Sequence, residues 1–535
     1  MAVSISDIVT IQRLVAAGNS DIYYEDIDVA AGQMTELDTS GYTIDTTDQL
    51  VMFNGFQKVF VANGTKLGVA DFINTKLTIT ALTTAPTRGS TITQATSNAT
   101  MVVDFVNTAK TEIYGYVTSG TFVTTGGYTL SGGGMDPATR VPSAVTAKPH
   151  WYAWTVYPGG ATGTMPVSAY LGCLYRGRCV LSGNPNAPHQ WYMSKIADPF
   201  DWVYDSTDPL TAVSGQSADA GKIGDIVRAL IPYGDDFLIF GCANSIYILD
   251  GDPASGGSID RLDETTGMFG CYAWCKDGEG NLYFWGSGGL YKMIGGRSKP
   301  QNISQGNLPK WVDDWALNPA THRIVLSYDP FRNGIVISKT TIADGVNSDY
   351  WYDLKLEAFC PETYPDECGI YSSIFYDANS SLRDMILGNK DGYIRKFDDT
   401  AKDDDVGGSD DAISSYAVIP MVKLGIEEDA DAEGKLTSLT IELSGGASSG
   451  AYSDTDGVSY ELHIGDDAET VMEDIEDGAT AFASDTLSGT GRQTRIRTRA
   501  RGRWLGIKLY NSTASETWAI NVISGEVKPA GKIKT

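Results

Sequence analysis

Tyr233-Gly-Asp-Asp-Phe-Leu-Ile-Phe-Gly-Cys-Ala-Asn-Ser-Ile-Tyr-Ile-Leu-Asp250 reads as an acidic turn, an apolar strand to Gly241, a polar turn, and a second strand through Leu249. Asp277-Gly-Glu-Gly-Asn-Leu-Tyr-Phe-Trp-Gly-Ser-Gly-Gly-Leu-Tyr-Lys-Met-Ile294 repeats that layout: turn, strand to Gly286, turn, strand from Leu290. A third copy runs from Asp377 to Phe397, and a degraded one from Gly55 to Val69. Two looser copies complete the set. Tyr328–Ser338 carries an Asn333-Gly334 hairpin and leads to Tyr350–Asp353, and Tyr170–Ser182 leads to Gln190–Ser194. Self-similarity on this scale is the signature of a repeat architecture.

The spacing points to blades. From Phe237 to Leu282 is 45 residues, and from Ile335 to Met385 is 50. Four short strands with their turns fill that length. Each unit leaves a sheet face bare, so it must stack on a neighbour. About six units closing into a ring leave no open sheet edge. The expected fold is therefore all-β, with a six-bladed β-propeller-like core. A linear β-solenoid is the alternative, and its rungs would be shorter and more regular.

The segments around the repeat differ from it in composition. Residues 1–76 are expected to hold N-terminal strands and a first blade, and 148–400 the remaining blades. Residues 77–147 interrupt the pattern with short Thr- and Gly-rich strands such as Met101–Phe105 and Glu112–Ser119. Val102, Val103, Phe105, Ile113, Tyr114, Tyr116, Phe122 and Tyr128 supply apolar material, so a small inserted β-barrel or sandwich is expected. Residues 401–412, overlapping the acidic run Asp398–Asp411, read as a solvated linker. Residues 413–535 read as a C-terminal β-sandwich. Its strands are expected at Tyr416–Pro420, Leu436–Leu443, Ser459–Ile464, Arg495–Ala500, Trp504–Tyr510 and Thr517–Ile523. Gly/Ser loops at Ser444–Gly450 and Leu487–Gly491 separate them.

Composition sets bounds. The chain has 535 residues, enough for two or three domains, and its 42% hydrophobic content supports a sizeable core. The formal net charge is −27. Such a chain is not expected to wrap nucleic acid, because affinity for phosphate rests on Lys and Arg. The same charge suits either plain solubility or a surface that DNA slides past. No secretory leader and no membrane-spanning apolar run is read, so insertion in a membrane is not expected. The 7 cysteines show no C-x-x-C pair, so neither a disulfide framework nor a zinc site is expected, and a reducing cytoplasm is the expected place of synthesis.

No catalytic spacing emerges. His150, His189, His322 and His463 are scattered and form no H-x-x-x-H pattern, and no P-loop or G-x-S-x-G elbow occurs. The 67 carboxylates single out no glycosidase pair. The acidic run lacks the spacing of a Ca²⁺ loop. The chain is thus expected not to be an enzyme, with no cofactor and no metal. The aromatic clusters Trp151–Trp154, Asp198–Trp202 and Tyr350–Tyr352 read as core or interface rather than as platforms for glycans. One local feature stands out: Arg495, Arg497, Arg499, Arg501 and Arg503 recur at a period of two. On one strand they share a face. Their expected role is a subunit-interface or charge-pairing strip facing carboxylates of a neighbouring subunit or of this chain, with DNA phosphate a third choice.

Leu181-Ser-Gly-Asn-Pro-Asn-Ala-Pro-His-Gln-Trp-Tyr-Met-Ser-Lys-Ile-Ala-Asp-Pro-Phe-Asp-Trp202 resembles a segment of phage tail proteins: a strand ending in Gly-Asn-Pro, a polar turn, an aromatic-Ser strand and Asp-Pro-Phe. Together with Gly270–Tyr291, it makes residues 150–400 similar to the tail nozzle, or tail tubular protein B, family of short-tailed bacteriophages. The resemblance implies a virion structural protein made in the host bacterial cytoplasm. It implies a homohexamer that rings a conduit for double-stranded DNA and gates genome ejection, joined to a tail adaptor ring and tail fibres. It implies no catalytic residues. The chain is shorter than many nozzles, which bears on fibre attachment and gating. The alternatives are a receptor-binding tailspike or glycan depolymerase, and a cellular propeller serving as an interaction platform.

Overall fold

A computed structural model describes the chain except residues 7–9, 27–32, 38–42, 157–162, 206, 217–218, 367, 380–381, 399, 407–408, 426–431, 445–456, 488–490, 497 and 533–535. α-Helix among the described residues is confined to Trp311–Trp315 and Ala468–Glu476. The protein is all-β and propeller-like. It divides into two units. The first comprises Met1–Gly345, Tyr350–Cys360 and Ile370–Phe397, and the second Val346–Asp349, Pro361–Gly369 and Asp398–Thr535.

In the first unit the repeat becomes a series of antiparallel sheets whose strands follow chain order. The third is Leu171–Tyr175, Arg178–Asn184, Ala187–Met193 and Val213–Ser214. The fourth is Val227–Tyr233, Phe237–Cys242, Ile246–Asp250 and Ser258–Asp263, and the fifth spans Trp274–Lys276 to Gln301–Asn302. Their central strands are buried along their whole length: every residue of Phe237–Cys242 and Leu282–Gly286 is covered. A strand sheltered on both faces loses the apolar/polar alternation of a half-buried one, which is why these stretches read as continuous apolar runs. Tight hairpins need positive φ at both turn residues. Arg176 and Gly177 adopt φ 48° and 68° between the first two strands of the third sheet.

Neighbouring sheets share cores. Val3, Val15 and Ile22 of the first sheet pack with Val59, Val61 and Ala70 of the second. Phe60 and Val69 of the second pack with Cys179 and Leu181 of the third. Val180 and Met193 pack with Leu230 and Phe240, Ile239 and Ile248 with Leu282 and Phe284, and Tyr283 and Trp285 with Ile324 and Ile335. Phe331 meets Phe375 of the last sheet edge-on at 5.4 Å. Tyr376 of that last sheet then donates to Gln12 O at 3.5 Å and to the Glu25 carboxylate, both of the first sheet's neighbourhood, and so closes the ring.

The ring contains seven such sheets among the described residues, where the repeat read from sequence suggested about six. The additional one is N-terminal, built from Ala2–Ser6, Thr10–Gly18, Asp21–Tyr24 and Thr35–Glu36. Its strand Thr10–Gly18 ends in a glycine before the polar turn Asn19-Ser20, as the other copies do, but no glycine precedes that strand. The last sheet has three strands, from Ile370–Asn379 to Ile394–Lys396.

The second sheet is interrupted. Its strands Val51–Gly55, Lys58–Asn63 and Lys66–Asp71 are completed only by His150–Ala153, which pairs with Lys66–Asp71 in the register His150↔Asp71. Between them the chain makes a separate six-stranded sheet from Thr75–Thr78 to Ala144–Thr146. This single sheet curls around its own core of Leu77, Ile92, Met101, Val103, Ile113 and Leu130.

In the second unit two sheets enclose one core. Leu436, Leu439 and Ile441 of strand Ala432–Leu443 meet Leu462, Ile507 and Leu509 of strands Ser459–Gly465 and Trp504–Asn511. Two expectations are corrected here. Residues 401–412 are not a linker: Asp403–Val406 and Ser409–Ala412 pair as a hairpin. Arg495–Ala500 is not one strand, because Gly491–Ile496 ends and Arg499 takes φ 53°, in the left-handed region that no strand uses. The Gly/Ser loops at 445–450 and 488–490 lie outside the described residues. No helix among the described residues is long and apolar enough to cross a membrane.

Candidate functional site

The Asp-Pro-Phe segment is a joint. Asp198 Oδ1 accepts from the Phe200 amide at 3.1 Å, a local bond that Asp forms readily and that bends the chain. The bend turns the Pro199 carbonyl inward. It accepts two indole N–H groups, from Trp154 at 2.9 Å and from Trp202 at 3.0 Å. Trp154 follows directly on the closing strand of the second sheet, so this one carbonyl ties the second sheet to the third. Phe200 in turn lies 4.2 Å, ring to ring, from Phe105 of the inserted sheet.

Charge reinforces the joint. Arg88 of the insert reaches Asp198 Oδ2 at 2.5 Å and Asp104 Oδ1 at 3.2 Å. Asp104 Oδ2 accepts from Lys58 Nζ of the second sheet at 2.9 Å and from Asn74 Nδ2 at 2.9 Å. Lys58 also faces Asp71 at 3.8 Å, and Asp71 accepts from Tyr152 at 2.9 Å. Burial works to lower the Lys58 pKa, but Asp71 and Asp104 outweigh it and raise the ammonium above its ordinary 10.5. Burial likewise works to raise Asp104, but Lys58, Asn74 and Arg88 outweigh it and hold the carboxyl below 3.8. Asp198 goes the other way: burial pushes it up, and Arg88 only partly offsets this. The carboxylates of Asp71 and Asp104 are thus engaged in holding a buried cation. That arrangement fastens the insert to the second sheet and offers no free acid and base.

A second buried cation continues the joint towards the fourth sheet. The Arg178 guanidinium is 0% exposed and donates to the carbonyls of Ser194, Pro209 and Thr211 at 2.9, 2.8 and 2.5 Å. Its Nη2 pairs with Asp252 at 3.1 Å, beyond the third strand of the fourth sheet. A planar fork with five donors suits such multiple acceptance.

The arginine row is dispersed. The Arg495 side chain and the whole of Arg497 lie outside the described residues, and Arg499 is exposed at its left-handed position. Arg501 pairs with Glu433 at 2.6 Å within this chain. Arg503 sits close enough to Asp467 to help hold that carboxyl below its ordinary value, after the stronger effect of Thr470. The four histidines stay apart. His150 is buried in the second sheet with Nδ1 3.3 Å from Ala147 O, His189 is exposed on a strand, His322 accepts from the Asn318 amide at 3.1 Å, and His463 is buried in the second unit. Among the described residues no group of three or more His, Cys, Asp or Glu side chains is placed to hold a metal ion. Trp151, Trp154, Trp202 and Tyr352 are core residues. Burial pushes the thiols of Cys173, Cys179, Cys242 and Cys275 up, away from reactivity.

Sequence reading singled out Asp198-Pro-Phe but missed Lys58, Asp71, Arg88 and Asp104. These four come from separate strands and turns and share no spacing. The one available signal was a lysine, Lys58, directly opening the apolar run Val59–Ala62.

No known family profile and no curated protein matches the chain. Solved structures with distant likeness include the extracellular domain of a hybrid two component system from Bacteroides thetaiotaomicron, at 11% identity and a TM-score of 0.29, covering 66% of this chain and 34% of that one. The tricorn protease matches at 11% and 0.26, covering 70% and 40%. A quinonprotein alcohol dehydrogenase-like protein from Bacteroides thetaiotaomicron matches at 11% and 0.26, covering 64% and 79%. The chain spans about a third of the length of the first of these.

Proposed function

We propose that this chain is a subunit of a tail nozzle of a short-tailed bacteriophage, whose copies ring a conduit for double-stranded DNA. The observation that carries this reading is the family-like segment Leu181–Trp202, whose Asp-Pro-Phe turn is the joint between the second sheet, the third sheet and the insert. A tube wall under the load of a passing genome needs adjoining sheets fastened to each other, and buried ion pairs and shared carbonyls do this. The net charge of −27 adds support, since a wall that attracted phosphate would hold the DNA rather than pass it.

The test is particle mass and shape. Purified full-length chain, viewed by negative-stain microscopy and weighed by light scattering, is expected to form closed rings of six copies with a channel wide enough for duplex DNA. A monomer at every concentration tested would overturn the reading.

A further inference from the structure

One sheet of the second unit has a long open edge. Its strand Ile520–Lys532 pairs with Ala432–Leu443 and with no other strand among the described residues. Every residue from Ser524 to Pro529 is exposed. Val522 and Val527 are 52% and 40% exposed, although both are apolar. An edge of this length presents a row of backbone groups to which another strand can add.

The direction of its backbone groups follows from one contact. The Glu526 carbonyl accepts from Thr437 Oγ1 at 2.9 Å, on the Ala432–Leu443 side. Successive residues of a strand alternate in direction, so the N–H and C=O of Val527 point to the open edge. Glu526 and Lys528 lie two apart on one face, with their charged atoms 3.5 Å from each other and both side chains more than half exposed. Within the sheet Lys528 stands opposite Lys435. Like charges directly opposite repel, and a further carboxylate on the open side of Lys528 would offset that repulsion.

We propose that this edge pairs antiparallel with the same edge of a second copy of the chain, centred on Val527. Val527 then meets Val527 of the second copy and exchanges both backbone bonds with it. Glu526 faces Lys528 of the second copy, and Lys528 faces its Glu526. Two copies related by a two-fold axis keep like faces together only when the register centres on a residue. Centring on Glu526 opposes two carboxylates, centring on Lys528 opposes two ammoniums, and centring on Gly525 makes no ion pair. Charge therefore selects Val527. Pro529 guards the edge against strands in general, because it has no N–H to give. In this register it stands opposite Gly525 of the second copy and accepts that residue's N–H. Pairing of two copies is independent of the nozzle reading: dimers without a ring uphold the pairing alone, and a ring without joined edges upholds the nozzle alone.

The experiment is disulfide trapping on the full chain. The Cα atoms of a hydrogen-bonded antiparallel pair lie about 5.5 Å apart, within disulfide reach. With oxidised glutathione, Val527→Cys is expected to give a covalent dimer whose linked peptides join position 527 of one copy to position 527 of the other. The parent chain supplies the background from its own 7 cysteines. Ser524→Cys, which faces Ala530 in the paired form, is expected to trap far more slowly. Adding Glu526→Lys to Val527→Cys sets lysines against lysines and is expected to slow trapping about tenfold. Adding Lys528→Glu as well is expected to restore it. If Val527→Cys does not fold, the dimer fraction in sedimentation of the parent, Glu526→Lys and the double reversal carries the comparison. No disulfide between the two 527 positions at any concentration overturns the proposal. So does equal trapping by Ser524→Cys, or trapping that ignores the charge reversals.

Discussion

Lys58 Nζ, on a strand of the second sheet, lies 2.9 Å from Asp104 Oδ2 on the inserted sheet, and Lys58 is 3% exposed. An ammonium that deep is stable only while its carboxylates stay in place. Breaking a buried pair from one side costs about 3–5 kcal/mol, because the remaining charge is stranded, whereas replacing both partners by apolar groups often costs little. Asp104→Ala is therefore expected to destabilise the first unit by that order. Lys58→Met combined with Asp104→Leu is expected to lose much less. Urea unfolding of the two variants checks this, and equal losses would contradict it.

The same cluster sets a pH dependence. The folded Asp104 carboxyl is held below its ordinary value, so its contribution is present above pH 3.8 and fades as pH falls through the lower folded value. The folded Lys58 ammonium is held above 10.5, so its contribution is present below that pH and fades as pH rises past it. Stability of the first unit is expected to fall on both flanks, and Asp104→Asn is expected to flatten the acid flank. Melting temperatures across pH 3–11 test both.

Pro199 O serves two indoles, which makes Trp154 and Trp202 partners through a shared acceptor. Trp202→Phe is expected to cost about 2 kcal/mol from the lost bond and the space left behind. Trp154→Phe should cost a similar amount. The double variant strands the carbonyl, so its loss is expected to exceed the sum by about 1 kcal/mol. Simple additivity in a denaturation cycle would sink the shared-acceptor account.

Tyr376 closes the ring of sheets through its hydroxyl, whose pKa is raised by burial and by Glu25. Tyr376→Phe removes that link and keeps the ring. A loss of about 1–2 kcal/mol is expected. Faster amide exchange should appear in Thr10–Gly18 and in Ile370–Asn379, with no change in the fourth and fifth sheets.

At the Asn333-Gly334 hairpin, an ideal Cβ on Gly334 would stand 2.0 Å from the Trp351 ring. That ring is 8% exposed and cannot retreat far. Gly334→Ala is expected to cost about 1–3 kcal/mol by overpacking. A neutral result in thermal melts would show that the ring yields.

Strands, turns and the blade-like repeat were open to reading from the chain because they are local. An apolar run between a Gly-Asp-Asp turn and an Asn-Ser turn, as in Phe237–Cys242, carries its own instruction through backbone preference and side-chain pattern. The interruption at Thr75–Thr146 was legible for the same reason, through its changed composition. The hairpin at 403–412 was not, since four of its facing residues are Asp, in the registers Asp404↔Asp411 and Asp405↔Asp410, and like charges read as solvated loop.

The additional N-terminal sheet shows where local reading stops. Ala2–Glu36 carries only part of the repeat layout, the strand ending in Gly18 and its Asn19-Ser20 turn, and its packing of Val3, Val15 and Ile22 against Val59 and Val61 makes it a member of the ring. The joint is of the same kind. Lys58 meets Asp104 across 46 residues and Trp154 meets Pro199 across 45, distances over which spacing carries no information. The chain by itself determined that the protein is built of repeated strand pairs, with an inserted sheet and an acidic surface. Tertiary structure alone decided how many sheets close the ring, which lysine is buried, and which carbonyl Trp154 and Trp202 share. Those outcomes depend on which distant residues share a core, and burial is set by that whole arrangement.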